Sequence, residues 1–208
     1  MLAIISSSGW PIWPLLIISV LGLAILLERS WFLRRKKISP EKDLEQALTY
    51  SLKLNTPENI HEPILEQDLV KLSKSSPLGQ ILAAGLKARQ NHRGQLQCLE
   101  EMRELANPTL LKLNQYLNIL ATIATIAPLI GLFGTVLGMI EIFASQGGSA
   151  NPQQLAQGIS MALYNTAFGL LIAIPALAGW RLLRGQADAR TQELNEGTRR
   201  LIKTMYPQ

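Results

Sequence analysis

The residues best placed to do chemistry are Thr122, Thr125, Thr135, Asn165, Thr166 and Glu141. All lie between Leu113 and Trp180, a stretch of 68 residues whose only charge is Glu141. Hydroxyls and an amide can hydrogen-bond water or a carboxyl group, but they do not ionise. A lone threonine means little, because it can satisfy the backbone of its own helix. Several threonines with an asparagine on two successive segments suggest a polar seam or a water-accessible lumen. A proton relay needs titratable groups at membrane depth. Glu141 is the one acid available, about three residues from the outer end of its segment. It reads either as an acid at the outer mouth of a channel or as an interfacial group reaching water. If this protein conducts protons, another chain must bring an acid to the middle of the membrane.

Other chemistry finds no support. No phosphate-cradling loop, nucleophile elbow or Cys/His cluster with metal spacing occurs. His61 and His92 lie far apart in polar surroundings and read as solvated. No cofactor, metal or enzymatic activity is expected. The single Cys98 allows no intramolecular disulfide and reads as a small buried hydrophobe. The net charge of +5 suggests juxtamembrane charge rather than nucleic-acid binding.

These polar residues need helices to hold them, and the charge distribution marks those helices. No charged residue precedes Glu28, and all 20 Lys and Arg fall in two blocks, Arg29 to Lys112 and Arg181 to Lys203. A bilayer span needs about 20 mostly apolar residues, so three spans follow. The segments are a periplasmic N-terminus (1–9), a first transmembrane helix (10–33) and a cytoplasmic helical region (34–112). Next come a second transmembrane helix with a cytoplasmic extension (113–144), a periplasmic loop (145–156), a third transmembrane helix (157–180) and a cytoplasmic C-terminal helix (181–208). Arg34, Arg35, Lys36 and Lys37 after the first span, and Arg181, Arg184 and Arg190 after the third, place those ends inside. A cleaved signal would carry positive charge before its apolar run, not after it. Trp10, Trp13, Trp31, Tyr116 and Trp180 mark span ends as interfacial aromatics.

The inner region reads as helices from Pro40, from Ile64 to Lys74, from Leu78 to Asn91 and from Leu96 to Leu105. Breaks fall at Asn55–Pro57, His61–Pro63, Ser75–Pro77 and Arg93–Gly94. Asn107-Pro108 should precede a long helix from Thr109 to Ala144. The third span should continue into the tail, with Leu183, Ala187, Leu194, Leu201 and Ile202 on one face. The inner helices, too small to bury much alone, should pack on the extensions of the long spans or on other subunits.

Spans two and three are rich in small residues. The second carries Gly131, Gly134 and Gly138. The third carries Gly158, Ala162, Asn165, Gly169 and Ala173, one face that permits close backbone approach. Packing within one subunit accounts for most of these positions. Pro128 and Pro175 lie inside the spans and free carbonyls that need partners.

The strings APLIGLFGTVLGM (127–139) and GISMALYNTAFGL (158–170), the latter followed by AIPA (173–176), resemble the second- and third-span signatures of the ExbB/TolQ/MotA proton-channel family. Length, topology and the large inner segment match ExbB and TolQ, whereas MotA is longer and has four spans; the resemblance is taken as closest to ExbB. The resemblance implies an all-α polytopic membrane protein in the bacterial inner membrane, with three transmembrane helices, two of them long and extending into a helical cytoplasmic region. It implies a homo-oligomer, a pentamer, whose second and third spans line a lumen. It implies an ExbD-like single-span partner carrying a proton-accepting Asp, and a TonB-like protein that the motor energises for outer-membrane transport. The family's pore-facing threonines fall on Thr135 and Thr166. Many members have a glutamate where this chain has Met161, which cannot ionise. The acid is therefore expected from the partner. A TolQ-like role in envelope maintenance and a non-conducting scaffold remain as alternatives.

Overall fold

A computed structural model describes residues 12–34, 38–55, 66–145 and 152–207 of the chain. Among the described residues seven helices run in order: α1 (Ile12–Phe32), α2 (Glu41–Asn55), α3 (Glu66–Ser75), α4 (Pro77–Gln90), α5 (Gln95–Asn114), α6 (Leu117–Ser145) and α7 (Pro152–Met205). The described residues contain no strand. Three stretches of the described residues are long and apolar enough to cross a membrane: Ile12–Phe32, Gln95–Ala144 and Gly158–Met205. The expected breaks at Asn55–Pro57 and His61–Pro63 fall largely outside the described residues, as do Trp10, Arg35, Lys36 and Lys37. The chain forms two compact units. One comprises residues up to Arg29 with Tyr116–Leu183; the other comprises Ser30–Gln115 with Arg184–Gln208.

The first unit is apolar. Leu15, Ala127 and Ala173 are buried together, with Ile130, Phe168 and Ile172 packed against them. The remaining face of α1 is exposed, including Trp13, Ile17, Val20 and Leu27, as a lipid-facing helix requires. Arg29 is buried, pairs with Glu28 at 2.8 Å, and holds its guanidinium 5.0 Å from the Tyr116 ring centroid. Tyr116 itself adopts a positive φ of 62°. The helix read from the sequence as starting after Asn107-Pro108 instead runs through Pro108 and stops at Asn114. Proline removes one hydrogen-bond donor, which α5 tolerates. The turn at Gln115 and Tyr116 is what separates α5 from α6.

The second unit is a helical cluster in which α4 packs on α2, α3 and α5. Leu78, Ile81, Leu82 and Leu86 form its buried stripe at helical spacing. A Cβ on Gly85 would lie 2.6 Å from the Met102 sulfur, so glycine there lets α5 lie close. Along α7, Ala187, Leu194, Leu201, Ile202 and Met205 are buried. Ser39 donates a hydrogen bond to Glu193, and Arg190 Nε donates to the Leu33 carbonyl at 3.4 Å. The end of α7 is fastened by Tyr206, whose hydroxyl donates to the Arg93 carbonyl at 2.6 Å and whose ring lies 4.6 Å from the Arg89 guanidinium.

The start of α4 depends on a residue far away in sequence. Ser76 caps the helix by accepting from the Gly79 amide at 3.0 Å, with Pro77 in the first turn. Its hydroxyl donates to Asp43, and Ser75 Oγ lies 2.6 Å from the same carboxylate oxygen. Asp43, on α2, is buried and places negative charge at a helix N-terminus. Asp43→Ala leaves that cap without its acceptor. The expected cost is about 2 kcal/mol, read as a lower thermal midpoint of the intact protein in detergent.

Cys98 is fully buried, and its thiol sits 3.3 Å from the Gly85 carbonyl. Burial, reinforced by Glu101, pushes the thiol pKa from 9.0 up to about 11. The neutral thiol is the form the fold accommodates. Stability is therefore unaffected below pH 9.0 and falls as pH rises towards 11, because the unfolded chain ionises first. Cys98→Ala should flatten that alkaline slope in a pH series of thermal melts. Native protein at pH 8 should react with an aromatic disulfide only on denaturation.

Candidate functional site

The polar residues singled out above lie on α6 and α7, which meet through their smallest side chains. At their closest, Gly131 and Gly169 face each other. A Cβ on Gly131 would lie 2.7 Å from the Asn165 carbonyl oxygen and 3.1 Å from the Thr166 Cα. A Cβ on Gly169 would lie 2.6 Å from the Ala127 carbonyl oxygen and 3.1 Å from the Gly131 Cα. These neighbours are backbone, so they cannot give way by changing rotamer. The other small residues are less constrained. Gly138 would place a Cβ 3.2 Å from that of Ala162, and Gly158 would meet the Ile142 side chain, 2.6 Å from its Cδ1 and 2.7 Å from its Cγ1.

Asn165, expected to line a lumen, is packed within the chain. It is 3% exposed. Its amide fills the space beside Gly134, whose added Cβ would stand 3.0 Å from it. Asn165 shares the small-residue face of α7 with Ala162, Gly169 and Ala173, and that face is the one packed within the chain.

Thr166 follows directly and lies at the edge of the same contact, half-exposed, with its Cα against Gly131. Thr135, one turn beyond Gly131 on α6, is also half-exposed. The structure thus puts both family threonines at the rim of one helix crossing. Thr122 and Thr125 are exposed. Thr125 lies about 80° from Thr135 around α6 at 100° per residue, and Thr122 about 140° from it. The three threonines of α6 therefore do not share one line. Met161 is half-buried and stands about 140° around α7 from Thr166, on the other side of the packed face. Glu141 is exposed, one turn before the end of α6.

The three threonine hydroxyls of α6 have a common orientation. Thr135 donates to the Leu132 carbonyl at 2.7 Å, Thr122 to Asn118 at 2.9 Å, and Thr125 to Thr122 at 2.9 Å. Each hydrogen is spent on its own helix. What each oxygen offers outward is acceptor lone pairs, suited to water or to a neutral carboxylic acid that donates. This site has hydrogen-bonding capacity but no ionisable group at mid-span.

The sequence reading did not single out Arg29 as a partner of Tyr116. The available signal was a Glu-Arg pair closing an apolar run, which reads equally well as an interfacial anchor.

Comparison with known proteins agrees with the geometry. Residues 73–196 match the model of the MotA/TolQ/ExbB proton channel family. The biopolymer transport protein exbB1 of Vibrio cholerae is 35% identical over 195 residues, covering 89% of this chain and 80% of that protein. An ExbB-like biopolymer transport protein of Synechocystis is 31% identical over 180 residues, covering 84% and 67%. The Tol-Pal system protein TolQ of Haemophilus influenzae is 43% identical over 76 residues, 36% of this chain and 33% of that protein. The match takes in the α6/α7 crossing, both rim threonines and helices α4 and α5 of the second unit, and on it the chain belongs to the MotA/TolQ/ExbB proton channel family.

Proposed function

We propose that this channel subunit works as ExbB does. Several copies, five in our reading, surround a lumen lined in part by Thr135 and Thr166, with Thr122 and Thr125 nearer the inner end. An ExbD-like single-span partner stands inside with an aspartate at mid-membrane. Protons move inward on that carboxylate, and the motion energises a TonB-like protein. The membrane potential supplies about 2.3 kcal/mol per charge per 100 mV. The assembly lies in the bacterial inner membrane, with the N-terminus periplasmic and the C-terminus and the second unit cytoplasmic.

The observation that carries this reading is chemical. The two long spans hold hydroxyls at an exposed rim but no acid except Glu141 near one end. The Thr135 oxygen, whose hydrogen is held by its own helix, is complementary to a protonated carboxyl, so the missing titratable group must come from another chain. With Met161 at the position where many relatives have glutamate, the chain cannot supply it. Glu141 then serves at the outer mouth.

The test is proton uptake into vesicles containing the chain co-expressed with an ExbD-like partner. Uptake should exceed that of empty vesicles and vanish when the partner aspartate becomes asparagine. Uptake equal to that of empty vesicles would leave a non-conducting scaffold as the better reading. The similarity to TolQ over 76 residues supports a second role, in envelope maintenance. Complementation decides between them: rescue of iron-chelate uptake favours the ExbB role, and rescue of detergent resistance in a strain lacking TolQ favours the other.

A further inference from the structure

Charge on the second unit is sorted into two patches of opposite sign. One is a groove of about 1240 Å³ where α5 meets the end of α7. Arg103, Arg199, Arg200 and Lys203 line it against a single acid, Glu196, and Leu99 adds apolar surface. Arg200 pairs with Glu196. Arg103, Arg199 and Lys203 have no ion pair among the described residues. The other patch is a stripe on α5: Leu96, Glu100, Glu104, Asn107 and Leu111, all exposed. Their spacing of four, four, three and four confines them to a sector of about 80°. Neither glutamate has an ion pair among the described residues. Leu96 and Leu111, at the ends of the stripe, are 69% and 75% exposed.

We propose that the groove receives the α5 stripe of a second copy of this chain. Glu100 and Glu104 meet the excess of positive charge, and the flanking leucines cover apolar surface that is otherwise left in water. The two patches differ, so the contact is heterologous. Contacts of that kind build rings, where the rotation closes, rather than pairs. Like other rim charges, these set register and partner choice more than affinity. The inference rests on the proposed assembly of several copies, and it names the surfaces through which they meet.

Disulfide trapping in membranes tests it. Chains bearing Glu104→Cys are co-expressed with differently tagged chains bearing Arg200→Cys, and oxidised with copper–phenanthroline. A parallel set pairs Glu100→Cys with Lys203→Cys. All four positions are exposed, so the variants should fold. Native Cys98 can stay, because it is buried and its thiol remains protonated. Mixed-tag dimers should form with both pairs. They should be lost when the Arg200→Cys chain also carries Arg199→Glu and Lys203→Glu, and return when its partner also carries Glu100→Arg. If mass measurement shows an oligomer but neither pair cross-links, this inference fails and the channel reading stands. A stable monomer overturns both. If Arg200→Cys is trapped instead on an acidic segment of the partner protein, the groove belongs to that partner and the inference is again overturned.

Discussion

Gly131→Ala and Gly169→Ala each lower the thermal midpoint of the detergent-solubilised protein, whereas Gly185→Ala raises it. The three substitutions add the same methyl group to the interior of a long helix. Each gains up to about 1 kcal/mol of helix propensity. At Gly185 nothing lies within 4 Å of the new atom, so that gain is all that changes. At Gly131 and Gly169 the methyl meets carbonyl oxygens at 2.7 and 2.6 Å, and α6 must move away from α7. Overpacking of this kind costs about 1–3 kcal/mol, enough to reverse the sign. For a chain of this length each kcal/mol moves the midpoint by about 2–4 °C. Leucine at either glycine should prevent the crossing from forming. Melts of the three alanine variants, run side by side, check the order. A stabilised Gly131→Ala would mean that the close approach is absent.

The second large effect concerns flux. Thr135→Val and Thr166→Val should each reduce proton uptake by about tenfold, the loss expected from removing one hydrogen bond to the moving group. Valine matches threonine in shape, so packing at the crossing should survive and the melting point should barely change. Thr135→Ser and Thr166→Ser should restore most of the flux, because they restore the oxygen. Serine variants as slow as the valine variants would show that the methyl, rather than the hydroxyl, matters at this rim. Unchanged flux in both valine variants would remove the threonines from the proposed lumen.

The parts of this structure that could be read in advance are those written in local pattern. The stretch from Leu113 to Trp180, with Glu141 as its one charge, announced α6 and α7. The spacing of Gly158, Ala162, Asn165, Gly169 and Ala173 announced a packed face, and Leu183 to Ile202 announced the continuation of α7. Other features depend on residues distant in sequence. Asp43 completes the cap of a helix that begins at Pro77, and Tyr206 closes on Arg93. The positive φ at Tyr116 had no glycine or proline to signal it, and Pro108 signalled a break that α5 does not make. The burial of Asn165 was hidden for a related reason. A polar residue between two small ones reads as lumen-facing until the neighbouring helix supplies a glycine, Gly134, that gives the amide room.

The back-bonded threonines have one more consequence. A proton wire passes charge along a row of hydroxyls, each receiving a proton on one side and releasing its own on the other. Thr122, Thr125 and Thr135 hold their hydrogens on carbonyls of their own helix, which takes those hydrogens out of any such relay. In the lumen we propose, these residues terminate a hopping chain instead of extending it. Charge would then cross as a passenger on a moving carboxyl, and the rate of transport would be set by how fast that carrier turns or swings, not by hopping along the wall.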